Sequence, residues 1–236
     1  MVVFFAGNER YKALFQRYVG PSVRLSSTLT DADVVIALPN GCVNAWKSED
    51  GKTLVDLSLL PSAGLDELRG FVEGVLPESD DSFSFFSPSS VRIVVEEGAG
   101  SILSAVFPSF SISVVPDVEE HRRRYVLSSI AMAFTFLFSL PLDALVHSPA
   151  FPRLFRMVSS EVRAIFTALG MSFKYDEVES VLSSLPRDMM EVASLQNEKN
   201  IVKALLASAS RSSIRTPYLN FLSVLLEARE DVIRYT

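Results

Sequence analysis

From Tyr125 to Leu142 the chain runs eighteen residues, YVLSSIAMAFTFLFSLPL, without a charged side chain. That approaches the ~20 apolar residues a bilayer span requires, so two destinations compete for it. Ser128, Ser129, Thr135, Ser139 and Pro141 interrupt the stretch, and Asp143 follows at once. A helix apolar on every side is also what the centre of a helical domain needs. The stretch is read as a buried core helix, with no membrane partner. With 48% hydrophobic residues, 17 Phe and a mean hydropathy of +0.28, disorder is excluded and the surplus must enter a core or an oligomer interface.

Around this helix the pattern divides in two. Residues 1–116 alternate short runs rich in β-branched and aromatic residues with helical or turn segments. Strands are expected at Val2–Ala6, Val23–Ser26, Val34–Leu38, Thr53–Leu59, Ser82–Phe86 and Val91–Val95, bounded by Gly, Pro, Asn or Asp. Arg10–Tyr18 and Leu65–Val75 show helical spacing. Such alternation argues for a mostly parallel sheet covered by helices, and Pro77–Ser82 is a loop at which the sheet is expected to change direction. Residues 117–236 read as helices throughout. Asp117 caps the first, with Glu119 and Glu120 at its positive end. Ser148-Pro149 opens the next and Gly170 closes it, and Tyr175–Leu185, Asp188–Ser208 and Pro217–Arg234 supply three more. The expected domains are 1–116 (α/β) and 117–236 (all-α).

Formal charge is −6, and all of it lies in the first 116 residues, which carry 8 basic and 14 acidic side chains against 14 of each thereafter. No basic stripe exists to neutralise phosphates, which argues against nucleic acid as a partner. Cys42 is the single cysteine, and His121 and His147 are the two histidines. No intramolecular disulfide can form, no metal site is expected, and the usage suits a cytoplasmic protein. The N-terminus reads as a first strand and not as a secretion signal. Glu119–Arg124 is read as a solvated helix face, with a charged entrance to an inter-domain cleft as the alternative, His147 as a loop residue, Cys42 as structural and Trp46 as packing.

Three stretches of the second half carry a resemblance. SISVVPDVEEHRRRYVLSSIAMAF resembles the junction in ketopantoate reductases, where a strand leads into a helix of the form Trp-x-Lys-Leu-x-x-Asn. LFRMVSSEVRAIFTALGMSF is similar to that family's Glu-hydrophobic-x-x-hydrophobic-x-x-x-Gly helix, and IRTPYLNFLSVLLEARE to its closing Thr-Pro-x-Asn helix. The resemblance covers about half the chain. It implies a curtailed Rossmann-like sheet domain followed by a helical domain of the 6-phosphogluconate-dehydrogenase type, reduction of a small 2-oxo acid by NADPH, and a cleft between the domains. Residue by residue, it puts the catalytic lysine on Arg124, its neighbouring asparagine on Ser128, and the substrate-binding glutamate and its neighbour on Glu198 and Asn200.

The same alignment exposes departures. Arg keeps a lysine's charge but does not give up its proton at neutral pH. A dinucleotide fold opens strand–GxGxxG–helix, whereas here the strand ends Ala6-Gly7-Asn8-Glu9, with one glycine where three are wanted. Gly7 and Asn8 are the remaining cofactor-binding candidates, and Glu9 would repel a phosphate. Asn40-Gly41 follows the strand DVVIAL, where a substrate-binding Asn could sit, although Pro-Asn-Gly is also ordinary turn chemistry. Two functions remain open: an NADPH-dependent 2-oxo acid reductase, or a non-catalytic relative that binds a small carboxylate or a partner protein after losing its cofactor. A homodimer through residues 117–236 is expected in either case, because a helical half of this size cannot readily bury so much apolar surface alone.

Overall fold

The computed structural model describes residues 1–39, 52–60, 68–77, 83, 86–173, 177–185 and 195–235. The chain forms two compact units, Met1–Arg122 and Arg123–Thr236. The second begins one turn inside a helix that both units share.

The first unit is a seven-stranded sheet in the order β2-β1-β3-β4-β5-β6-β7. Its strands are β1 (Val2–Ala6), β2 (Arg24–Leu25), β3 (Val34–Ala37), β4 (Thr53–Asp56), β5 (Leu68–Gly74), β6 (Val91–Val95) and β7 (Ser111–Val114). β1 to β5 pair in parallel, β6 runs against β5, and β7 is parallel to β6. The reversal falls across the segment holding Pro77–Ser82, of which residues 78–82 lie outside the described residues. β3 is buried along its whole length, as an apolar Val-Val-Ile-Ala run covered on both faces should be. Helices α1 (Glu9–Gln16) and α2 (Glu97–Val106) flank the sheet. Phe107 lies against Phe5, Phe15 and Phe110, with ring centroids 5.3–5.7 Å apart, and this aromatic cluster takes up part of the phenylalanine surplus.

One expected helix is a strand. The apolar spacing over Leu65–Val75 fits a helix, yet residues 68–74 form β5, hydrogen-bonded to β4 on one side and β6 on the other. Gly70 and Gly74 weaken a helix, and pairing on both edges overrides a short periodic signal. The close approach demands glycine at position 70, where a Cβ would stand 2.5 Å from Val95 Cγ1 and 2.8 Å from the Val94 carbonyl. Helix α2, where Gly98 and Gly100 lower helix propensity, and the short α4 (Leu142–His147) are not among the helices expected from sequence. His147 is therefore the last residue of a helix, its Nδ1 2.7 Å from the Asp143 carbonyl, and not a loop residue.

The second unit holds most of α3 (Val118–Phe138), then α4, α5 (Ala150–Ala168), α6 (Glu177–Ser184), α7 (Leu195–Arg211) and α8 (Pro217–Tyr235). Asp117 caps α3 by accepting the Glu120 amide at 2.8 Å. The uncharged stretch is core over its first part, where Val126, Leu127, Ile130, Ala131, Ala133 and Phe134 are buried, while Phe138 and Leu140 near its end are exposed. Among the described residues no helix is long and apolar enough to cross a membrane. α5 ends as its glycine promised. Gly170 has φ +77°, and the Met171 amide reaches back to the Phe166 carbonyl at 3.0 Å, the closing bond of a Schellman cap.

Candidate functional site

In a parallel sheet whose strand order reverses, ligands gather at the carboxyl ends of the strands beside the reversal. Here β1 has β2 on one side and β3 on the other, so that point lies after Ala6 and Ala37. Gly7 and Asn8 stand there, Gly7 with φ +129°. The Asn8 side chain is already engaged as the N-cap of α1, accepting the Arg10 amide at 2.8 Å. One of the amides that a phosphate would use is therefore satisfied internally, and Glu9 adds a negative charge beside it, paired with Lys12 at 2.6 Å. The turn fits a dinucleotide pyrophosphate poorly. Asn40 and Cys42 lie outside the described residues, as does Trp46.

Further along the same edge the structure assembles polar groups that the sequence did not single out. Asp56 ends β4 and is 1% exposed; its Oδ1 accepts the Ser58 amide at 2.8 Å, while its Oδ2 and the Ser58 hydroxyl are buried with no hydrogen-bond partner. Arg122, at the start of α3, is fully buried. Its guanidinium donates to Glu119 Oε1 and to the Gly70 carbonyl, both at 2.6 Å, and lies 5.4 Å from the centre of the Phe71 ring. Burial lowers its pKa, while the charges of Glu119 and Asp56 act the other way. The run Glu119–Arg124 is thus not a solvated face: Arg122 and Arg123 are buried, and His121 Nε2 sits 3.1 Å from Glu73. The correction has a tertiary cause, since the first turn of α3 packs on β5, which the sequence had not shown to be a strand. The one available signal was Asp56 itself, an acid closing a buried apolar strand.

In the helical unit the residues singled out by resemblance fall on two helices. Arg124 and Ser128 lie one turn apart on α3, both half-buried. Arg124 Nη2 donates to Ser184 Oγ, at the end of α6, at 3.3 Å. Its neighbour Tyr125 donates to Asn197 Oδ1, in the first turn of α7, at 3.0 Å. Glu198 is next along, 2% exposed, with Oε2 buried and unpartnered. Burial pushes its carboxyl up to about 7, against the opposing pull of its own backbone amide and of Asn197. One contact thus ties α3 to α7 at the residues adjacent to Arg124 and Glu198. Asn200 points elsewhere: residues two apart do not share a helix face, and its side chain accepts from Gln196 at 3.1 Å.

A second buried acid explains why two of the stretches occur together. Glu161 of α5 is 7% exposed, and its two oxygens accept the Tyr218 and Leu219 amides at 3.0 and 2.8 Å. It therefore caps α8 from another helix, where Pro217 fixes the first turn and itself has no amide to satisfy. Replacing Glu161 by Ala is expected to lower stability by about 1–2 kcal/mol in urea denaturation, the usual cost of a lost N-cap. Unchanged stability would mean that water replaces the carboxylate there.

No protein-family model matches the sequence. No curated protein matches it either. Solved structures do match over almost the whole chain. A putative 2-dehydropantoate 2-reductase from Enterococcus faecalis is 11% identical, with a TM-score of 0.55 over 98% of this chain and 99% of that one. A probable 2-dehydropantoate 2-reductase from Bacillus subtilis is 12% identical, with a TM-score of 0.55 over 97% and 100%. D-mandelate dehydrogenase with NADH and anilino(oxo)acetate is 11% identical, with a TM-score of 0.50 over 99% and 100%. Identity this low speaks to architecture alone. The chain has the fold of the ketopantoate reductases, a Rossmann-like, mostly parallel sheet followed by a helical region.

Proposed function

We propose that this protein is a divergent relative of the reductases whose helical unit binds a small 2-oxo acid or similar carboxylate through Arg124 and Glu198, with at most weak affinity for NADPH. The observation that carries the reading is Glu198: a buried carboxyl with a pKa of about 7 is largely uncharged below neutrality and can donate a hydrogen bond to a ligand oxygen. Arg124 supplies the complementary charge, since a guanidinium holds a carboxylate through two parallel hydrogen bonds. Ser128, one turn further on α3, adds a hydroxyl. We assign the protein to the cytoplasm on its cysteine usage and expect a homodimer through the helical unit.

The turn after β1 argues against tight dinucleotide binding, so no hydride step is derived through it. The likeness to 2-dehydropantoate 2-reductases and to D-mandelate dehydrogenase, solved with NADH and anilino(oxo)acetate, favours the second reading, an NADPH-dependent 2-oxo acid reductase. Calorimetric titration separates the two. A dissociation constant for NADPH weaker than about 100 μM, less than roughly 5.5 kcal/mol of binding, is expected; micromolar affinity would restore the reductase reading. Thermal-shift screening with 2-oxo acids should show stabilisation of the wild type that Arg124→Ala removes, with little change in the melting temperature of the unliganded protein. Equal shifts in both would refute the carboxylate site.

A further inference from the structure

We propose that Tyr125 is a positioning residue for Glu198: its hydroxyl holds the Asn197 side-chain amide with the NH2 toward the Glu198 carboxyl, so that the acid proton sits on Oε2. What this means for a bound ligand rests on the carboxylate-site reading above; what it means for Glu198 itself does not. The Tyr125 hydroxyl donates to Asn197 Oδ1 at 3.0 Å. The Asn197 side chain in turn hydrogen-bonds the Glu198 carboxyl and favours its charged form. Asn197 and Glu198 are both buried, and Glu198 Oε2 has no partner.

The chemistry of an amide makes its orientation decisive. One end accepts and the other donates, whereas an ionised carboxylate only accepts. The end of Asn197 that favours the charged form of Glu198 is therefore the NH2. Because Oε2 is unpartnered, the oxygen it serves is Oε1. An oxygen that accepts from an NH2 remains the carbonyl oxygen when the acid is protonated. The proton then goes to Oε2, where it can be donated to a ligand oxygen. Turned over, the amide would present Oδ1 instead, and the acid would donate to Asn197 and not to a ligand. Tyr125 decides between the two, because in the reversed arrangement its phenolic proton loses the Oδ1 acceptor. The charged groups beside this trio have other partners. Arg124, next to Tyr125 on α3, donates to Ser184 of α6, and Lys199, next to Glu198 on α7, pairs with Glu230 of α8. Burial raises the Glu198 pKa, its own backbone amide and Asn197 oppose that rise, and Tyr125 acts through the second of these.

The titration of Glu198 can be read directly by NMR. In protein labelled with carbon-13 at its glutamate carboxyl groups, the Glu198 signal is the one that Glu198→Gln removes, and it is followed against pH. Tyr125→Phe should raise the Glu198 midpoint by about 0.5–1 pH unit, the size of one neutral hydrogen bond. Asn197→Leu should raise it at least as far. Adding Tyr125→Phe to Asn197→Leu should change nothing further, since the hydroxyl acts only through the amide. Calorimetric titration with pyruvate, as a 2-oxo acid probe, near pH 6 should show binding weakened by about fivefold or more in Tyr125→Phe, although its Glu198 is the more fully protonated. A loss of packing does not produce that combination. An unmoved or lowered midpoint in Tyr125→Phe overturns the inference, as does a shift that persists in full in the Asn197→Leu background. Equal affinity for pyruvate in the wild type and Tyr125→Phe overturns the placement of the proton on Oε2. If the midpoints move as expected and the wild type does not bind pyruvate, the positioning role stands and the carboxylate-site reading falls.

Discussion

Arg122→Ala is expected to lower the stability of the sheet unit by about 3–5 kcal/mol, the cost of breaking a buried ion pair from one side. The residue is fully buried, and three features depend on it: the Glu119 carboxylate, the Gly70 carbonyl, and the face of Phe71. Truncation leaves the buried Asp56 without the cation that faces it, leaves Glu119 only the longer contact to Arg69 at 3.7 Å, and leaves a β5 carbonyl without its donor. Gly70 cannot compensate by movement, because it is pressed between Val94 and Val95 of β6. The Nε atom of Arg122 has no partner even in the intact protein, so the network is already incompletely satisfied, and a further loss falls on a site with no slack. Urea denaturation is the measurement. A loss under about 1 kcal/mol would show that water and the remaining neighbours take over the partners of the arginine when it is removed.

A pH dependence of the opposite kind to ordinary acid denaturation should come from Glu198. Its carboxyl ionises near 4.5 when exposed and near 7 when folded. Between those values the folded chain holds a proton that the unfolded chain has lost, so its contribution to stability is complete below about 4.5. The contribution falls as pH rises through the window and is level above about 7. Converted at ~1.4 kcal/mol per unit, the whole window represents roughly 3 kcal/mol. Glu198→Gln, uncharged at every pH, should therefore match the wild type near pH 5 and exceed it near pH 8 by about that amount, with a flatter stability profile. Parallel profiles for the two proteins would mean that the ionised carboxylate finds a partner or water that burial alone does not disclose. The same substitution keeps the shape of the side chain while fixing its hydrogen-bonding pattern, so a thermal-shift ligand that requires the acid as donor should still bind the variant at neutral pH.

Much of this was legible in the residues. The eighteen uncharged residues declared a core helix, Asp117 declared its start and Gly170 the end of another, and three stretches of the helical half resembled a known architecture. Such features are local. A cap is a bond within three or four residues, and a buried helix shows its destination in its composition. Arg124 and Glu198 were reached only through the resemblance, because nothing in the local sequence marks a half-buried cation or a buried acid.

Where the sequence misled, the deciding contact was distant. Residues 68–74 became a strand because β4 and β6 bind both edges, and Arg122 left the solvent because that strand then lay beneath the first turn of α3. Asp56, Ser58 and Glu161 owe their places to partners that are adjacent only after folding; Glu161 caps a helix 57 residues away. By itself the sequence determined the two-part architecture, the position of the apolar core and the loss of the glycine-rich phosphate turn, since hydrophobic periodicity and backbone chemistry act over one or two turns. Tertiary structure alone decided which charges are buried and which acid is pushed toward neutrality, because desolvation and burial depend on neighbours far away along the chain.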